Sequence, residues 1–555
     1  MKRRKFLIGS ASGLSAVAGS GFSRLAFGDG TTDSAPKPLD RTKKTSPGSL
    51  RAGVGKSDIT RWKTGETTGD MAMKAALGTE GKAEIRIHDP LYAKALVLDD
   101  GGTRAAIISM DVIAIGGLGE IKDDFLRIVR AEIERGLNIS GKNILVNASH
   151  NHLTGGQICD DVVEKTVEAV RHACANMAPV RIGAGRGKED RITMNRRIKL
   201  KNGKTWTERH AIPSPEDEDV AGVGPIDPEI GVLRIDRLDG RAFAVVYNFA
   251  AHPYSGASGG GVTAELPGFA SKVIEQNLGN GAMALFLQGA TGDITEIYYK
   301  EVNRPRNAEP LGMMLGLSTL EAWRGIKTAG GSIKVISETL ELPRRTDIPE
   351  RIKALEKEQA DLLQSLADTS LNFKAFLPLY LKYQLSPEYP SYYAYWYKHQ
   401  QLMGQTELAL LDAENRRNIE KYLSNIYAME RLARIQVNRE ILKERQAINE
   451  KSGSATLTIE VQIVKVGDFV LVTFPGELSA QIGINIKRAS PHRNTFVAAY
   501  SNGYIHYAPT DDAFDGWGYE DTNCLLGRGW QQIYEKGVAS LLSSFSLDAG
   551  GHIHA

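Results

Sequence analysis

The sequence ILVNASHNHLTGG, residues 144–156, decides how the rest of the chain is interpreted. Its first residues are apolar and predict a buried strand that ends at turn-forming residues. His150 and His152 lie two positions apart at the end of this strand, so both side chains are expected on the same side. Two such imidazoles form half of a zinc site, or else a hydrogen-bonded polar pair. The glycine pair Gly155–Gly156 then allows the backbone to turn tightly.

The composition is that of a globular protein. The chain has 555 residues, of which 42% are hydrophobic and 24% charged, so it is long enough for one very large domain or two to four smaller ones. The net charge of +2 is uneven, because residues 1–28 hold five basic residues and no acidic one. Without them, 63 basic residues face 66 acidic ones. No basic stripe remains, so a nucleic-acid partner is not expected.

The first ten residues, MKRRKFLIGS, resemble a twin-arginine export signal. A basic region precedes a weakly apolar stretch rich in Gly, Ala and Ser, and small residues near positions 26–28 suit a cleavage site. We therefore predict a signal peptide over residues 1–28 and a periplasmic or secreted protein. The alternatives are a cytosolic basic arm and a short membrane anchor, although the apolar stretch is too short to span a bilayer comfortably.

Strand and helix patterns alternate on both sides of a long helical segment, which predicts a mixed α/β core with a helical insertion. The predicted segments are a disordered linker over 29–48, the first part of the core over 49–345, the insertion over 346–450, the second part of the core over 451–545, and a flexible tail over 546–555. The insertion contains an aromatic-rich piece, Phe373–Tyr397. This piece is interpreted as a self-packed helical hairpin or a homo-oligomer interface, with a substrate lid as the alternative.

Three cysteines are too few for a disulfide framework, and their spacing matches no zinc motif. Whether Cys159 and Cys174 pair is left open, because Cys174 also fits the buried face of a helix.

Polar side chains follow several of the predicted apolar strands. They are His150, His152, His252, Asp293, Thr295, Glu477 and Tyr507. Ligands of open α/β sheets lie at the carboxyl ends of strands, so these side chains are the ones able to converge. Two histidines and a glutamate suit Zn²⁺, with one position kept for water or substrate. Each residue taken singly is equally well explained as a hydrogen-bonded group at the end of a strand.

Seven short segments, in this order, resemble the neutral/alkaline non-lysosomal ceramidase family. They are GVGKSDIT at 53–60, SHNH at 149–152, NR at 195–196, NFAAH at 248–252, GATGDIT at 289–295, PGE at 475–477, and residues 504–519. The resemblance spans about residues 51–342 and 455–542.

The resemblance implies a zinc-dependent amide hydrolase with one zinc ion per chain. The implied zinc ligands are His150, His252, Glu477 and Tyr507, and the implied catalytic residues are His152, Arg196, Asp293, Thr295 and Tyr519. Of these, His152 is expected to contact the developing oxyanion, which zinc and nearby donors together stabilise. An additional structural Ca²⁺ or Mg²⁺ is a further candidate ion.

Three features depart from the family pattern. Thr295 replaces a serine, which keeps a hydroxyl but restricts its rotation, so that it is expected either to act as nucleophile or only to orient the substrate. The loop 153–156 is LTGG rather than Ser-Gly-Pro-Gly. The chain also ends soon after the core, so the family's C-terminal immunoglobulin-like domain is not expected. The resemblance thus predicts the metal site but does not predict specificity for ceramide.

The sequence therefore predicts an exported, ceramidase-like zinc hydrolase that cleaves a C–N amide bond. The substrate is expected to be an N-acyl lipid, as in sphingolipid metabolism at a membrane surface, or an N-acylated sugar. One alternative is cleavage of an ester or glycosidic bond at the same site; another is a secreted binding protein with a structural metal. Apolar residues of 373–397 around the site would favour lipid, and polar or carboxylate-rich walls would favour sugar.

Overall fold

The computed structural model describes residues 50–62, 85–207, 215–297, 306–387 and 394–547. The predicted signal peptide, the predicted linker and the last eight residues of the predicted tail lie outside these ranges. Within them, no helix is both long and apolar enough to cross a membrane.

Nineteen strands are described. They are β1 (Arg51–Asp58), β2 (Tyr92–Asp99), β3 (Arg104–Met110), β4 (Ile144–Ala148), β5 (Ala178–Lys188), β6 (Thr193–Asn195), β7 (Arg197–Leu200), β8 (Thr205–Thr207), β9 (Val220–Val223), β10 (Glu229–Arg237), β11 (Ala242–Phe249), β12 (Met283–Gln288), β13 (Ile294–Glu296), β14 (Ile333–Pro343), β15 (Thr456–Val466), β16 (Phe469–Thr473), β17 (Glu477–Leu478), β18 (Asn494–Ala498) and β19 (Tyr507–Ala508).

Twelve α-helices are described over the same ranges. They are α1 (Phe125–Leu137), α2 (Val162–Ala175), α3 (Glu265–Leu278), α4 (Glu309–Gly325), α5 (Ile348–Ser365), α6 (Phe373–Leu385), α7 (Ala394–Leu402), α8 (Glu407–Ser452), α9 (Ala480–Ala489), α10 (Ala513–Gly516), α11 (Tyr519–Thr522) and α12 (Trp530–Leu547).

Two mixed sheets form the centre of the fold. The larger has the order β12-β11-β10-β5-β1-β2-β3-β4, and the smaller has the order β14-β15-β16-β18. Most neighbours are antiparallel, but β3 with β4, β11 with β12, and β16 with β18 are parallel. Strands β2 and β3 form a hairpin, pairing antiparallel across the turn Asp100-Gly101-Gly102. The parallel pairs matter most for function, because their strands end on the same side.

The two sheets face each other through an apolar core. Leu96, Leu98 and Leu145 of the larger sheet belong to one buried cluster with Val464 and Leu471 of the smaller sheet. Helices α2, α3 and α4 pack on the larger sheet or on one another, and α9 and α12 pack on the smaller sheet. The predicted mixed α/β class is therefore confirmed, as two sheets between helical layers.

The glycines of the segment GVGKSDIT allow a close approach between β1 and α2. A Cβ atom on Gly53 would lie 1.9 Å from the Ala173 carbonyl oxygen, and one on Gly55 would lie 2.2 Å from the Ala169 carbonyl oxygen. Only glycine leaves room for a helix backbone at this distance from the strand. The motif is thus explained by packing rather than by direct contact with the site.

The segment predicted as an insertion forms helices α5 to α8, of which α8 is 46 residues long. The aromatic helix α6 packs on α8, with the Phe376 and Tyr422 rings 4.4 Å apart. At its C-terminal part, α8 reaches the core, because Arg445 donates to Asn523 at 2.7 Å and contacts His506 Nε2 at 2.9 Å.

Candidate metal centre

One buried amide holds the two histidine segments together. Gln288, the last residue of β12, donates from Nε2 to the carbonyl oxygens of Ser149 and Ala251, both at 2.7 Å. These carbonyls directly precede His150 and His252. The Gln288 side chain is fully buried, so these hydrogen bonds form away from competing water and fix both segments.

Two asparagines join the strand ends across the sandwich. Asn147 in β4 donates to the Ala499 carbonyl at 2.6 Å, and Asn248 in β11 donates to the Val497 carbonyl at 2.9 Å. Both acceptors lie at the end of β18 in the other sheet or just after it. The ends of the parallel strands are therefore brought to one place between the sheets, which is where the predicted site residues lie.

His150 is held in one orientation by the backbone. It lies two residues after the end of β4, with φ at 60°, which is a left-handed conformation that is uncommon for a residue with a side chain. Its Nδ1 lies 2.8 Å from the Ile113 carbonyl oxygen. A carbonyl oxygen only accepts, so Nδ1 is a donor here, and Nε2 is the ring nitrogen that faces His152.

The Nε2 atoms of three histidines meet at one point. His152 Nε2 lies 3.1 Å from His150 Nε2 and 3.0 Å from His252 Nε2. The expectation that His150 and His152 share a side is met, but alternation along a strand is not the reason, since His150 lies past β4 in a left-handed conformation. Burial lowers the pKa of His152 and His252 well below the usual value, and the neighbouring His150 adds to this. Such histidines stay neutral and keep a lone pair for a metal.

Glu477 places a carboxylate beside this cluster. Its Oε2 lies 3.5 Å from His150 Nε2. The Tyr504 hydroxyl donates to Oε1, and the Tyr500 hydroxyl lies 3.4 Å from Oε2. Burial by itself would raise the pKa of Glu477, but His150, the Tyr504 hydroxyl and Arg196 outweigh burial and lower the pKa to about 2. The carboxylate is therefore ionised at neutral pH.

Tyr507 is the neighbour of Glu477 in a short parallel pair, β17 with β19, where the two residues are in register. Its side chain is buried, and its hydroxyl accepts a hydrogen bond from Arg196 Nη2 at 3.1 Å. Burial raises the pKa of Tyr507 well above its usual value, and Glu477 raises it further. The hydroxyl is thus protonated in the absence of a metal.

Arg196 is fixed by three partners. Its Nε donates to Glu520 Oε1 at 2.8 Å, and its Nη2 donates to the Gly292 carbonyl at 2.8 Å as well as to Tyr507. The guanidinium also lies 5.8 Å from the centre of the Tyr519 ring. Arg196 and Tyr519 therefore lie together beside Tyr507, and a catalytic role for them stays a prediction.

Asp293 and Thr295 are not joined to the histidine cluster by any hydrogen bond among the described residues. Asp293 Oδ1 accepts from the backbone N–H of Ala480, the first residue of α9, at 2.8 Å. This contact satisfies an otherwise unpaired donor at a helix start. Thr295 is buried in β13, which pairs with β6. A role for Thr295 in catalysis stays a prediction.

Three residues around the site were not singled out from the sequence. They are Tyr500 and Tyr504, which contact Glu477, and Glu520, which pairs with Arg196. Tyr500 lies after β18 and has φ at 55°. Its position just past the end of a predicted strand could have marked it as a candidate site residue. Glu520 adjoins Tyr519 and carries no local pattern that marks it.

The side chains present fit a zinc ion. Tetrahedral zinc with bonds of about 2.0–2.1 Å requires ligand atoms roughly 3.3 Å apart. Two separations of 3.0 and 3.1 Å between imidazole nitrogens, both measured from His152 Nε2, and the 3.5 Å between His150 Nε2 and Glu477 Oε2 are close to this value, so His152 belongs to the group that could hold the ion. The described chain contains one such cluster of histidines, formed by His150, His152 and His252. Neutral imidazoles and an ionised carboxylate are the donors that zinc prefers.

Fold and site together define a mixed α/β protein with a buried, histidine-rich centre suited to a transition metal. The fold is similar to the crystal structure of neutral ceramidase from Pseudomonas aeruginosa, with a TM-score of 0.56 and 15% identity over 92% of this chain and 76% of that chain. A structure of ceramidase complexed with C2 gives a TM-score of 0.57 and 14% identity over 92% of this chain and 77% of that chain. No protein-family model and no curated protein sequence matches the chain. The resemblance to neutral ceramidase expected from the motifs is thus confirmed in the fold.

Proposed function

We propose that this protein is an exported zinc-dependent hydrolase that cleaves a C–N amide bond of an N-acyl substrate. The observation that carries the proposal is the buried group of three histidines with an ionised carboxylate 3.5 Å from one of them. The ceramidase-like fold supports the reaction class, and the basic segment of residues 1–5 supports export.

The ligands proposed from the resemblance are His150, His252, Glu477 and Tyr507, and His152 is a further candidate donor because its Nε2 lies 3.1 Å from that of His150 and 3.0 Å from that of His252. A zinc ion bound there would supply Lewis acidity and activate water at neutral pH. The chain provides the remaining functions. Arg196 holds a fixed positive charge beside Tyr507, which suits stabilisation of a developing oxyanion because little reorganisation is needed.

His152 is suited to contact the reacting carbonyl. It is less enclosed than His150, which has no exposed surface. Its ring lies 4.5 Å from the Tyr254 ring, which limits its movement. A neutral imidazole at this position can donate an N–H hydrogen bond to the developing oxyanion.

The metal content of the purified chain tests the proposal. We expect about one zinc ion per chain in the unsubstituted protein and a large loss in His150→Ala and Glu477→Ala. His172→Ala is the matched control, because His172 lies on α2 with its side chain 50% exposed. Full zinc occupancy in both site variants would contradict the ligand assignment.

The reaction class needs a second measurement on the same proteins. A fluorescent ceramide, a panel of N-acyl sugars, and the matching esters and glycosides distinguish the bond that is cleaved. Turnover of an amide that a chelator abolishes and added zinc restores would support the proposal. Turnover of esters or glycosides alone would assign another bond to the same site. Recovery of the chain from the periplasm, lost when Arg3 and Arg4 are changed to lysine, would test export.

A further inference from the structure

A cavity of about 330 Å³ adjoins the candidate metal centre on the side of Tyr519. Three parts of the chain form its walls: β8, the turn at Trp517–Tyr519, and the middle of α8 from Tyr427 to Asn438. Its volume is at the lower end of the range for small-molecule sites, about 300–1,000 Å³, and suits a group of one or two sugar rings.

The cavity leads directly to the proposed catalytic residues. Tyr519 belongs to its lining, and the Tyr519 ring lies 5.2 Å from the Tyr507 ring and 5.8 Å from the Arg196 guanidinium. Asn523 Nδ2 donates to the Tyr519 hydroxyl at 3.2 Å, which helps to fix this wall. A group bound in the cavity would therefore contact Tyr519, whose ring in turn neighbours Tyr507 and Arg196.

Aromatic rings and polar groups alternate in the lining. Trp206, Trp517 and Tyr427 supply ring surface, Glu430 and Asn438 supply hydrogen-bonding groups, and Arg431, which pairs with Glu358, adds a positive charge. The Trp517 ring is 42% exposed. The Arg351 guanidinium lies 4.8 Å from the centre of that ring and also donates to Asp521 at 2.6 Å, so the ring is held in place.

This combination fits a saccharide better than an alkyl chain. The C–H groups on one face of a sugar ring are attracted to the negative face of an aromatic ring, while its hydroxyls form hydrogen bonds around the edge. An alkyl chain would displace water from the Glu430 carboxylate and the Asn438 amide without replacing those hydrogen bonds, which is costly, whereas sugar hydroxyls can donate to the one and accept from the other. The lining also contains no described residue of the aromatic-rich segment 373–397, whose α6 helix packs on α8 instead.

We propose that this cavity binds a saccharide unit of the substrate, so that the amide presented to the metal centre belongs to a sugar-bearing molecule. The inference rests on the proposed hydrolase function for its catalytic meaning. It assigns α8, and with it the helical insertion, a direct part in choosing the substrate.

Calorimetric titration of the full chain with N-acetylglucosamine and its β-1,4-linked disaccharide tests this assignment. The protein is used both unsubstituted and as Glu477→Ala, so that turnover does not interfere. We expect saturable binding in both, weakened at least tenfold by Trp517→Ala and by Tyr427→Ala. Tyr427 is 57% exposed on α8, so its replacement does not disturb the core.

Trp396→Ala is the matched control, since Trp396 is 50% exposed in the same insertion and does not line the cavity. Unchanged binding in this variant, with loss in the other two, supports the assignment. Lack of saturable binding of either sugar, or binding of a short-chain ceramide that only Trp517→Ala and Tyr427→Ala weaken, overturns it. If sugar binds but the chain holds no zinc, the hydrolase proposal fails and the cavity assignment stands. If zinc-dependent turnover of ceramide occurs without sugar binding, the reverse holds.

Discussion

The buried ion pair between Arg196 and Glu520 gives a quantitative test of the arrangement beside the candidate metal centre. The two side chains are 10% and 1% exposed, and the N–O distance is 2.8 Å. The substitution Arg196→Met keeps a long side chain and removes the charge. The Glu520 carboxylate then stays buried with the Thr207 hydroxyl at 3.2 Å and Arg197 at 3.6 Å.

Removal of one partner from a buried ion pair costs about 3–5 kcal/mol. Because Thr207 and Arg197 still contact Glu520, we expect Arg196→Met to lower the free energy of unfolding by about 3 kcal/mol. Glu520→Gln leaves the Arg196 charge with only neutral acceptors, so we expect a cost of about 4 kcal/mol. The double variant removes both charges and should cost about 2 kcal/mol less than the sum of the single variants.

Urea titration of chelator-treated protein measures these free energies without a contribution from metal binding. Arg241→Met is the control, because Arg241 pairs with Asp239 at 2.7 Å while the two side chains are 60% and 49% exposed. Such an exposed pair should contribute less than about 1 kcal/mol. Strictly additive costs in the double variant, or a cost of Arg196→Met no larger than that of the control, would refute the argument.

Three further predictions address the neighbouring groups. Tyr504→Phe removes a hydrogen bond to the proposed ligand Glu477 and should weaken zinc binding about 10- to 100-fold. Tyr500→Phe should weaken it less, since the Tyr500 hydroxyl lies 3.4 Å from the Glu477 carboxylate. Competition with a chromophoric chelator measures both affinities, and equal or absent effects would contradict the prediction. Burial raises the pKa of Asp111 to about 7, so the stability that its protonation contributes is full below about pH 4 and is lost as the pH rises to about 7. The free energy of unfolding of Asp111→Asn should therefore rise by about 2–4 kcal/mol relative to that of the unsubstituted protein between pH 4 and pH 8 in urea titrations. A constant difference across that range would disprove the shift. Thr295→Ala should lower turnover less than about tenfold if the hydroxyl only orients the substrate; a loss of a hundredfold or more would assign it a direct part in the chemistry.

The strained backbone at the site has a structural explanation. His150, Tyr500 and His506 all have positive φ angles, between 55° and 64°. His150 and Tyr500 each lie two residues after a strand, β4 and β18 respectively, and His506 lies directly before β19. Such conformations are retained when surrounding contacts determine them, and they are frequent at functional sites.

Much of the candidate site was predictable because its proposed ligands lie just after apolar strands. Alternating or continuous apolar residues predicted β4 and β11, and the polar residues that follow them named His150, His152 and His252. The prediction of helices and strands depends on residues close in sequence, which is why the α/β class and most elements were found. The seven motifs, found in the order of the neutral ceramidase family, further predicted a ceramidase-like fold.

The tertiary structure alone decided how these residues are held and what surrounds them. Gln288 and Ser149 are 139 positions apart, and Arg196 and Glu520 are 324 positions apart. No local pattern specifies such contacts, because they depend on which strand ends meet between the two sheets. The same holds for the cavity, where α8 of the insertion meets Trp517 of the core. The sequence by itself determined which side chains are able to bind a metal, and only the packing of the two sheets and the insertion decided that they converge and which chemical groups face them.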